Sequence, residues 1–541
     1  EGSNPLPDIS DDMEGSNPLP DISDDMEGSN PLPDISDDME GSNPPPDISD
    51  RLNMIEAFEE NSVMSQEEMR VPEDLTDNLI RLPNTEGLNV SGISTNNVFE
   101  AIETVRSQEI SASATSSTTL AGTQQTLNNQ NEQTGSNTAI VYLTSVPNAL
   151  NANIPLECME DEVGESQHNL WLNTEQNLSV VCPRDLLDRT SDRVSLFVVT
   201  EDGQPLNVEI SPSTEELETM ARELRRRVQY NEEGYREVGA QLYDVLIEPI
   251  EADLRSRGIT NLVFITQPEL RGIPVAALYD RDRDRFLVED YSLGIMPSFS
   301  LTRTDYLSVN NAPVLAMGRS QFQNHDPLPA VPIELEMVQR NAPGEILLNE
   351  AFTRENLARR NDRRFRILHL ATHANFLETN NPASYIRLWD DYLELQEMRS
   401  EPFPWQEPTV DLLVLSACET AADSIRAELG LAGAAYHMGV KSVLGSFWSP
   451  RDRVTLLLMS YFYRDLASAP IKAEALQQAQ IAFLRGDWQW VRSQLEELET
   501  SGTLSDRDLE ELQEIQQWLD TSPSLSHPHY WAGFVMVGSP W

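Results

Sequence analysis

Asp411-Leu-Leu-Val-Leu-Ser-Ala-Cys-Glu-Thr-Ala421 is a run of four apolar residues that leads into Ser-Ala-Cys, then a polar turn and a Gly- and Ala-rich helix. A short, uninterrupted apolar run predicts a strand buried on both faces. Arg366-Ile-Leu-His-Leu-Ala-Thr-His-Ala-Asn-Phe376 predicts a second strand, with Ile367, His369, Ala371 and His373 on one face. His373 falls where that strand ends, the edge at which open α/β sheets place ligands. A Cys at the carboxyl end of one strand and a His at the end of another meet the needs of a thiol nucleophile and its base, which must be neighbours in space rather than in sequence. The thiolate is the attacking species, and a nearby imidazole raises its population. The backbone N–H groups of Cys418 and Ala374 would then point at a developing oxyanion.

Outward from these two stretches, apolar runs alternate with helical patterns. Ala139–Val146, Val194–Thr200, Leu262–Thr266, Pro313–Met317, Leu412–Ala417 and Ser442–Phe447 are expected strands. Asp202-Gly203 turns the chain back toward Leu206–Ile210 as a hairpin. Ser213 and Glu216 form a capping-box pattern ahead of a helix to about Tyr230. A second helix is expected over 235–257. Residues 487–520 read as a charged helical pair around Ser501-Gly502, an excursion from the core. The βαβα alternation predicts an α/β fold with a mostly parallel sheet covered by helices on both faces.

The amino-terminal part differs in kind. Glu-Gly-Ser-Asn-Pro-Leu-Pro-Asp-Ile-Ser-Asp-Asp-Met begins at Glu1, Glu14 and Glu27, with an altered fourth copy from Glu40, so 1–52 is a tandem repeat of period 13. Two prolines, a glycine and few large apolar residues per unit cannot offset the entropy of ordering, so a disordered acidic tail is expected. The repeated Asp8, Asp11 and Asp12 pattern leaves open a weak Ca²⁺ response, but its spacing is not that of an EF-hand loop. Residues 53–137 read as a polar linker holding one short amphipathic helix, in which Val98, Phe99, Ala101, Ile102 and Val105 share a face. Ser111–Asn137 reads as flexible, and globular character begins near Thr138.

The chain has 541 residues, with 38 Lys+Arg against 89 Asp+Glu and a formal charge of -51. That balance excludes sequence-independent nucleic-acid binding and docking on an anionic membrane. The most apolar stretch, Leu429–Val440, is too short for the roughly 20 residues of a spanning helix, so no membrane insertion is expected. Neither Met nor a signal peptide opens the chain, so Glu1 is expected to be a fragment edge or a processing site. Cys158, Cys182 and Cys418 are too few for a disulfide framework or a four-Cys zinc site. Cys158 and Cys182 can still pair, so the compartment, cytoplasmic or extracellular, stays open.

Several motifs in order resemble one family. Leu368-His-Leu-Ala-Thr-His373, Leu413-Val-Leu-Ser-Ala-Cys-Glu-Thr-Ala421, Gly430-Leu-Ala-Gly433, Gly439-Val-Lys-Ser-Val-Leu-Gly-Ser-Phe-Trp448 and His527-Pro-His-Tyr-Trp-Ala-Gly-Phe-Val-Met-Val-Gly538 look like the CHAT domain, over about 138–541. CHAT domains are caspase- and separase-like and are often found in cyanobacteria. The resemblance implies a caspase-like sheet and peptide-bond hydrolysis by a Cys/His dyad at Cys418 and His373, with no cofactor. It also implies a degenerate, non-catalytic half at 138–305 before a catalytic half at 306–541. Many members have Gly after the catalytic His where this chain has Ala374, and Ala tolerates positive φ less well.

Protein or peptide substrates follow from that reading, and a regulatory protein partner is a further possibility. An acidic floor to the specificity pocket would favour Arg or Lys before the scissile bond. Glu419, Asp390, Asp391 and Asp452 are the candidates, with Trp389 and Trp448 as candidate walls, although such acids more often solvate a surface and such tryptophans more often fill a core. His369 and His373 would pair on a metal if they lay on a helix, but the flanking Ile, Leu and Ala favour a strand and no Glu follows His369, so no metal is assigned. His527 and His529 read as structural or groove-lining. The alternative from another class is a catalytically silent caspase-like interaction or scaffold module, at the cell surface for instance.

Overall fold

Ile140 and Tyr142 point to one side of strand β1 (Thr138–Val146) and Ala139, Val141 and Leu143 to the other, and all five are buried. A strand that is apolar on both faces requires cover on both. The computed structural model describes residues 95–110, 118–146, 193–267, 270, 272–323, 325–359, 365–375, 385–394, 397, 410–416, 439–449, 451–521 and 524–541. These belong to the unit Leu88–Trp541; the unit Glu1–Gly87, with the expected repeat tail, lies outside the described residues.

One sheet of the described residues contains β1, β2 (Arg193–Val199), β3 (Leu206–Ser213), β4 (Asn261–Thr266), β5 (Ser292–Ile295), β6 (Val314–Gly318), β7 (Gly344–Leu348), β8 (Ile367–Ala371), β9 (Leu412–Leu415), β10 (Ser442–Ser446) and β11 (Phe534–Gly538). Their spatial order is β3-β2-β1-β4-β5-β11-β10-β9-β8-β6-β7. Neighbours are parallel except at β1–β2, β2–β3 and β10–β11. The mostly parallel sheet flanked by helices is the expected architecture. Within the second half of the sheet, β7 and β8 lie on opposite sides of β6, so the strand order reverses between β6 and β8. That crevice is the switch point where such sheets bind ligands.

Helices cover both faces. The capping box of Ser213 and Glu216 starts the helix Thr214–Gln229. The helix expected over 235–257 is two, Tyr235–Leu246 and Glu248–Ser256, because Pro249 lacks the N–H needed to continue the first and suits the opening turn of the second. The helical pair Gln489–Glu499 and Asp506–Thr521 is tied to the core by buried Val491, Leu495, Leu512 and Ile515.

The second face of the amino-terminal half is covered by chain that composition alone marks as linker. Thr95–Ile110 is helical and buries Phe99, whose ring meets Tyr142 edge-on at 5.8 Å and lies 6.4 Å from Phe197. Its buried Glu103 carboxylate accepts from Tyr142 Oη at 2.7 Å and from the Phe299 and Ser300 N–H groups at 3.1 and 3.0 Å. Leu120–Thr134 is a second helix, capped by Thr119 and ended by Gly135 at φ 72°. The flexible reading of Ser111–Asn137 is therefore corrected at this helix, where one buried stripe of Leu120, Thr123, Leu127 and Gln130 is enough once the sheet supplies the other side.

The entry ends of β8, β9 and β10 are tied by charge. Arg366 Nε meets Asp411 Oδ2 at 2.6 Å, and Lys441 Nζ meets Asp411 Oδ1 at 2.9 Å and Asp305 Oδ2 at 2.7 Å. Lys472, the only other lysine of the chain, is buried nearby; loss of hydration pulls its ammonium down to about 7, against the opposing pull of Asp411. Replacing Asp411 removes the carboxylate on Arg366 and leaves the buried Lys441 ammonium with the exposed Asp305 alone. Asp411→Asn is expected to lower stability by roughly 3–5 kcal/mol, read as a shift in the urea midpoint.

Candidate active site

β8 pairs with β6 on one side and β9 on the other, so the exit ends of all three strands lie side by side. Gly318 ends β6 where a side chain would strike Val331 at 2.6 Å and crowd the Ala371 carbonyl at 3.2 Å, and its absence lets the two strand ends meet. Arg319 N then donates to Ala371 O at 2.9 Å.

His373 does not continue the face of His369. β8 stops at Ala371, Thr372 Oγ1 donates to Arg387 O at 2.8 Å, and the chain crosses into a small antiparallel sheet made of Ala374–Asn375, Tyr385–Arg387 and Tyr392–Glu394. The expectation of one shared face is thus corrected. His369 stays in the core, with Nδ1 3.2 Å from Tyr463 Oη and Nε2 2.9 Å from Glu334 Oε1, the latter contact lacking hydrogen-bond alignment. His373 emerges half-buried at the crevice. Its Nε2 lies 2.9 Å from the Asp326 carbonyl. A carbonyl can only accept, so this contact holds the proton on Nε2 and leaves the Nδ1 lone pair as the base. Phe322 packs 4.5 Å from the imidazole and His325 5.4 Å from it, centroid to centroid.

Ala374 is buried and keeps a negative φ; the non-glycine residues with positive φ among the described residues are Asn231, Asp284, Asn311 and Asn349. The extended backbone here does not need glycine. Arg387 N donates to His373 O at 3.0 Å, which makes Ala374 and Ile386 a non-hydrogen-bonded pair of their ladder. The Ala374 N–H consequently faces away from its partner strand. On the neighbouring strand, Ser416 N donates to Leu370 O at 3.2 Å. Cys418 and Glu419 lie outside the described residues, as do Cys158 and Cys182.

The candidate acidic floor is not assembled from its described members. Asp391 is paired with Arg354 at 3.1 Å and Asp390 is exposed. Asp452 accepts from Ala330 N at 2.7 Å and so holds the far end of the 319–330 loop that carries Phe322 and Asp326. Trp389 does reach the site, stacked 4.9 Å from Arg319 Cζ. Trp448 is core: its Nε1 donates to His529 O at 3.0 Å, and Gly533 leaves room for its ring. His527 and His529 are structural, bonded to each other and facing the Glu232 and Gln229 carbonyls, and burial pulls His527 down to about 4.

Sequence reasoning overlooked Arg319, Phe322, His325, Asp326 and Arg387. The usable signal was position, because Arg319–Asp326 directly follows an expected parallel strand. Among the described residues no helix is long and apolar enough to cross a membrane.

A model of the CHAT domain matches residues 236–539, a start later than the 138 suggested by motif resemblance. Among solved structures, the chain is similar to the Arg-specific cysteine proteinase gingipain R (RGPB), at 8% identity and TM-score 0.31, over 59% of this chain and 74% of that one. It is also similar to the complex of Porphyromonas gingivalis RgpB pro- and mature domains, at 10% identity and TM-score 0.32, over 61% of this chain and 78% of that one. Comparison with curated proteins gives no match.

Loss of hydration pushes the Asp452 carboxyl up to about 7, with Glu334 and Glu511 adding to the rise against the Ala330 N–H. The folded chain therefore holds a proton there that the unfolded chain releases, and this contribution to stability is lost as pH climbs from about 4 to about 7. Asp452→Asn keeps the acceptor for Ala330 and removes the titration. The variant is expected to lose less melting temperature than the native chain between about pH 5 and about pH 8 in parallel thermal scans.

Proposed function

The chain belongs to the CHAT-domain family, and from that premise we propose that it is a cysteine endopeptidase working through Cys418 and His373. The observation that carries this reading is register. Leu370 is level with Leu415 on neighbouring parallel strands, and His373 and Cys418 each lie three residues further along their chains. Strands so paired run about 4.8 Å apart, so the strand ends from which the chain continues to His373 and to Cys418 are neighbours.

The chemistry follows from the groups at the crevice. The Asp326 carbonyl keeps the Nε2 proton of His373 in place, so Nδ1 takes the thiol proton of Cys418. The thiolate attacks the scissile carbonyl and forms a tetrahedral oxyanion. The backbone N–H groups of Ala374 and Cys418 are the proposed donors to it, and the outward-facing Ala374 N–H supports that role. The imidazolium then gives its proton to the leaving amine, the carbon–nitrogen bond breaks, and water hydrolyses the thioester with His373 again as base. Residues 138–305 are proposed as a non-catalytic half that completes the sheet beside the catalytic one.

The 541-residue chain treated with a peptide library and an acyloxymethyl ketone probe tests the proposal. Cys418→Ala is expected to abolish both cleavage and labelling, and His373→Ala to lower kcat/KM by roughly 100-fold or more. Cleavage that survives in Cys418→Ala would exclude this mechanism. A native chain that neither cleaves nor takes the probe would leave the interaction-module reading.

A further inference from the structure

A chain with 89 acidic and 38 basic residues has carboxylates in excess, and its guanidinium groups find them readily. Arg283 reaches Asp280 and Glu251, Arg366 reaches Asp411, and Arg453 reaches Glu511 and Glu514. Arg319 and Arg387 are different. Among the described residues neither meets a carboxylate, although they are close enough that the Arg387 charge, after burial itself, helps pull the Arg319 guanidinium below its ordinary value.

Their settings are built. Arg319 is 8% exposed. Its Nε donates to Gln321 O at 2.7 Å and its Nη1 to Leu388 O and Trp389 O at 2.7 and 3.2 Å, leaving Nη2 without a partner among the described residues. Its Cζ lies between the Phe322 and Trp389 rings, 4.7 and 4.9 Å from their centroids. Arg387 is half-buried between Phe322 at 5.7 Å and Tyr392 at 4.9 Å, and its buried Nε has no hydrogen-bond partner among the described residues. Carbonyls and ring faces attract a cation but do not cancel its charge, so two positive charges, one buried and one half-buried, are held together. That arrangement is costly unless an anion completes it.

Place decides which anion. Phe322, the ring shared by both guanidinium groups, also packs against His373. A carboxylate held by the pair is thus about one side chain away from the proposed base. We propose that Arg319 and Arg387 form the specificity pocket for an Asp or Glu side chain of the substrate, next to the scissile bond. This reverses the acidic floor expected from sequence. It rests on the peptidase reading of Cys418 and His373 and adds the substrate class: proteins cleaved beside an acidic residue. Arg319, locked by three carbonyl bonds and two rings, is the fixed fork; Arg387, anchored through the small sheet to His373 O, is its second arm.

Three acyloxymethyl ketones that differ only in an Asp, Asn or Lys recognition residue test it on the full chain, with labelling of Cys418 read by mass spectrometry. The Asp probe is expected to react roughly 10- to 100-fold faster than the Asn and Lys probes, as charge-assisted hydrogen bonds require. Because Arg319 is deep enough that its loss can disturb folding, Arg387 carries the mutational arm. Arg387→Gln is expected to collapse the Asp-to-Asn ratio toward one, and Arg387→Glu to turn the preference toward Lys. Equal rates with all three probes, preference of the native chain for Lys, or an unchanged ratio in Arg387→Gln would overturn the pocket while leaving the peptidase standing. Failure of every probe to label Cys418 would remove the peptidase reading and the pocket with it.

Discussion

The parallel pairing of Ile367–Ala371 with Leu412–Leu415 is the constraint on which the rest depends. A slip of one residue would turn each side chain of one strand to the opposite face. It would also separate the positions that the proposed chemistry needs level. Both strands are fully buried and, His369 apart, apolar, so burial alone discriminates weakly between registers. The ion cluster of Arg366, Asp411 and Lys441 at the entry ends is more selective, because a shifted strand would draw these close charges apart. Charges at one edge of the sheet thus determine geometry at the other.

The crevice at the exit edge has its own supports. Gly318 permits the ends of β6 and β8 to meet, and the Asp452 carboxyl on Ala330 N closes the far end of the loop from β6. Between those two points the loop presents Phe322 to His373 and the Asp326 carbonyl to its Nε2. The small sheet contributes from the other side: Arg387 N binds His373 O, and the same residue's guanidinium lies over Phe322. Orientation of one imidazole therefore involves, besides its own motif, the loop from β6, Asp452 and the small sheet.

Much of the sheet was legible because its strands are short apolar runs bounded by turn residues, as at Leu262–Thr266 and Ser442–Ser446. Gly344–Leu348 was missed, because an edge strand with exposed and half-buried positions lacks the continuous apolar signature. Leu120–Thr134 was missed for the complementary reason. Its polar composition matches a linker, and its few apolar residues acquire meaning only against Thr200, Glu201 and the Thr304 carbonyl, to which Gln124, Asn131 and Gln130 donate. Pro249 is sufficient to divide the helix around it, although the apolar periodicity of 235–257 runs through it.

What the sequence determined by itself was whatever depends on local order: apolar runs, the Ser213 cap, the Asp202-Gly203 turn, the family motifs and the identity of the candidate His and Cys. Tertiary structure decided what depends on which charges meet. Asp391 and Asp452 were plausible pocket acids by position along the chain, yet one is paired with Arg354 and the other with a backbone N–H, while Arg319 and Arg387 came together with no carboxylate on either among the described residues. The reason is physical. Backbone conformation responds to near neighbours in sequence, whereas the net charge of a pocket is a sum over side chains from remote segments, and that sum exists only after the segments have packed.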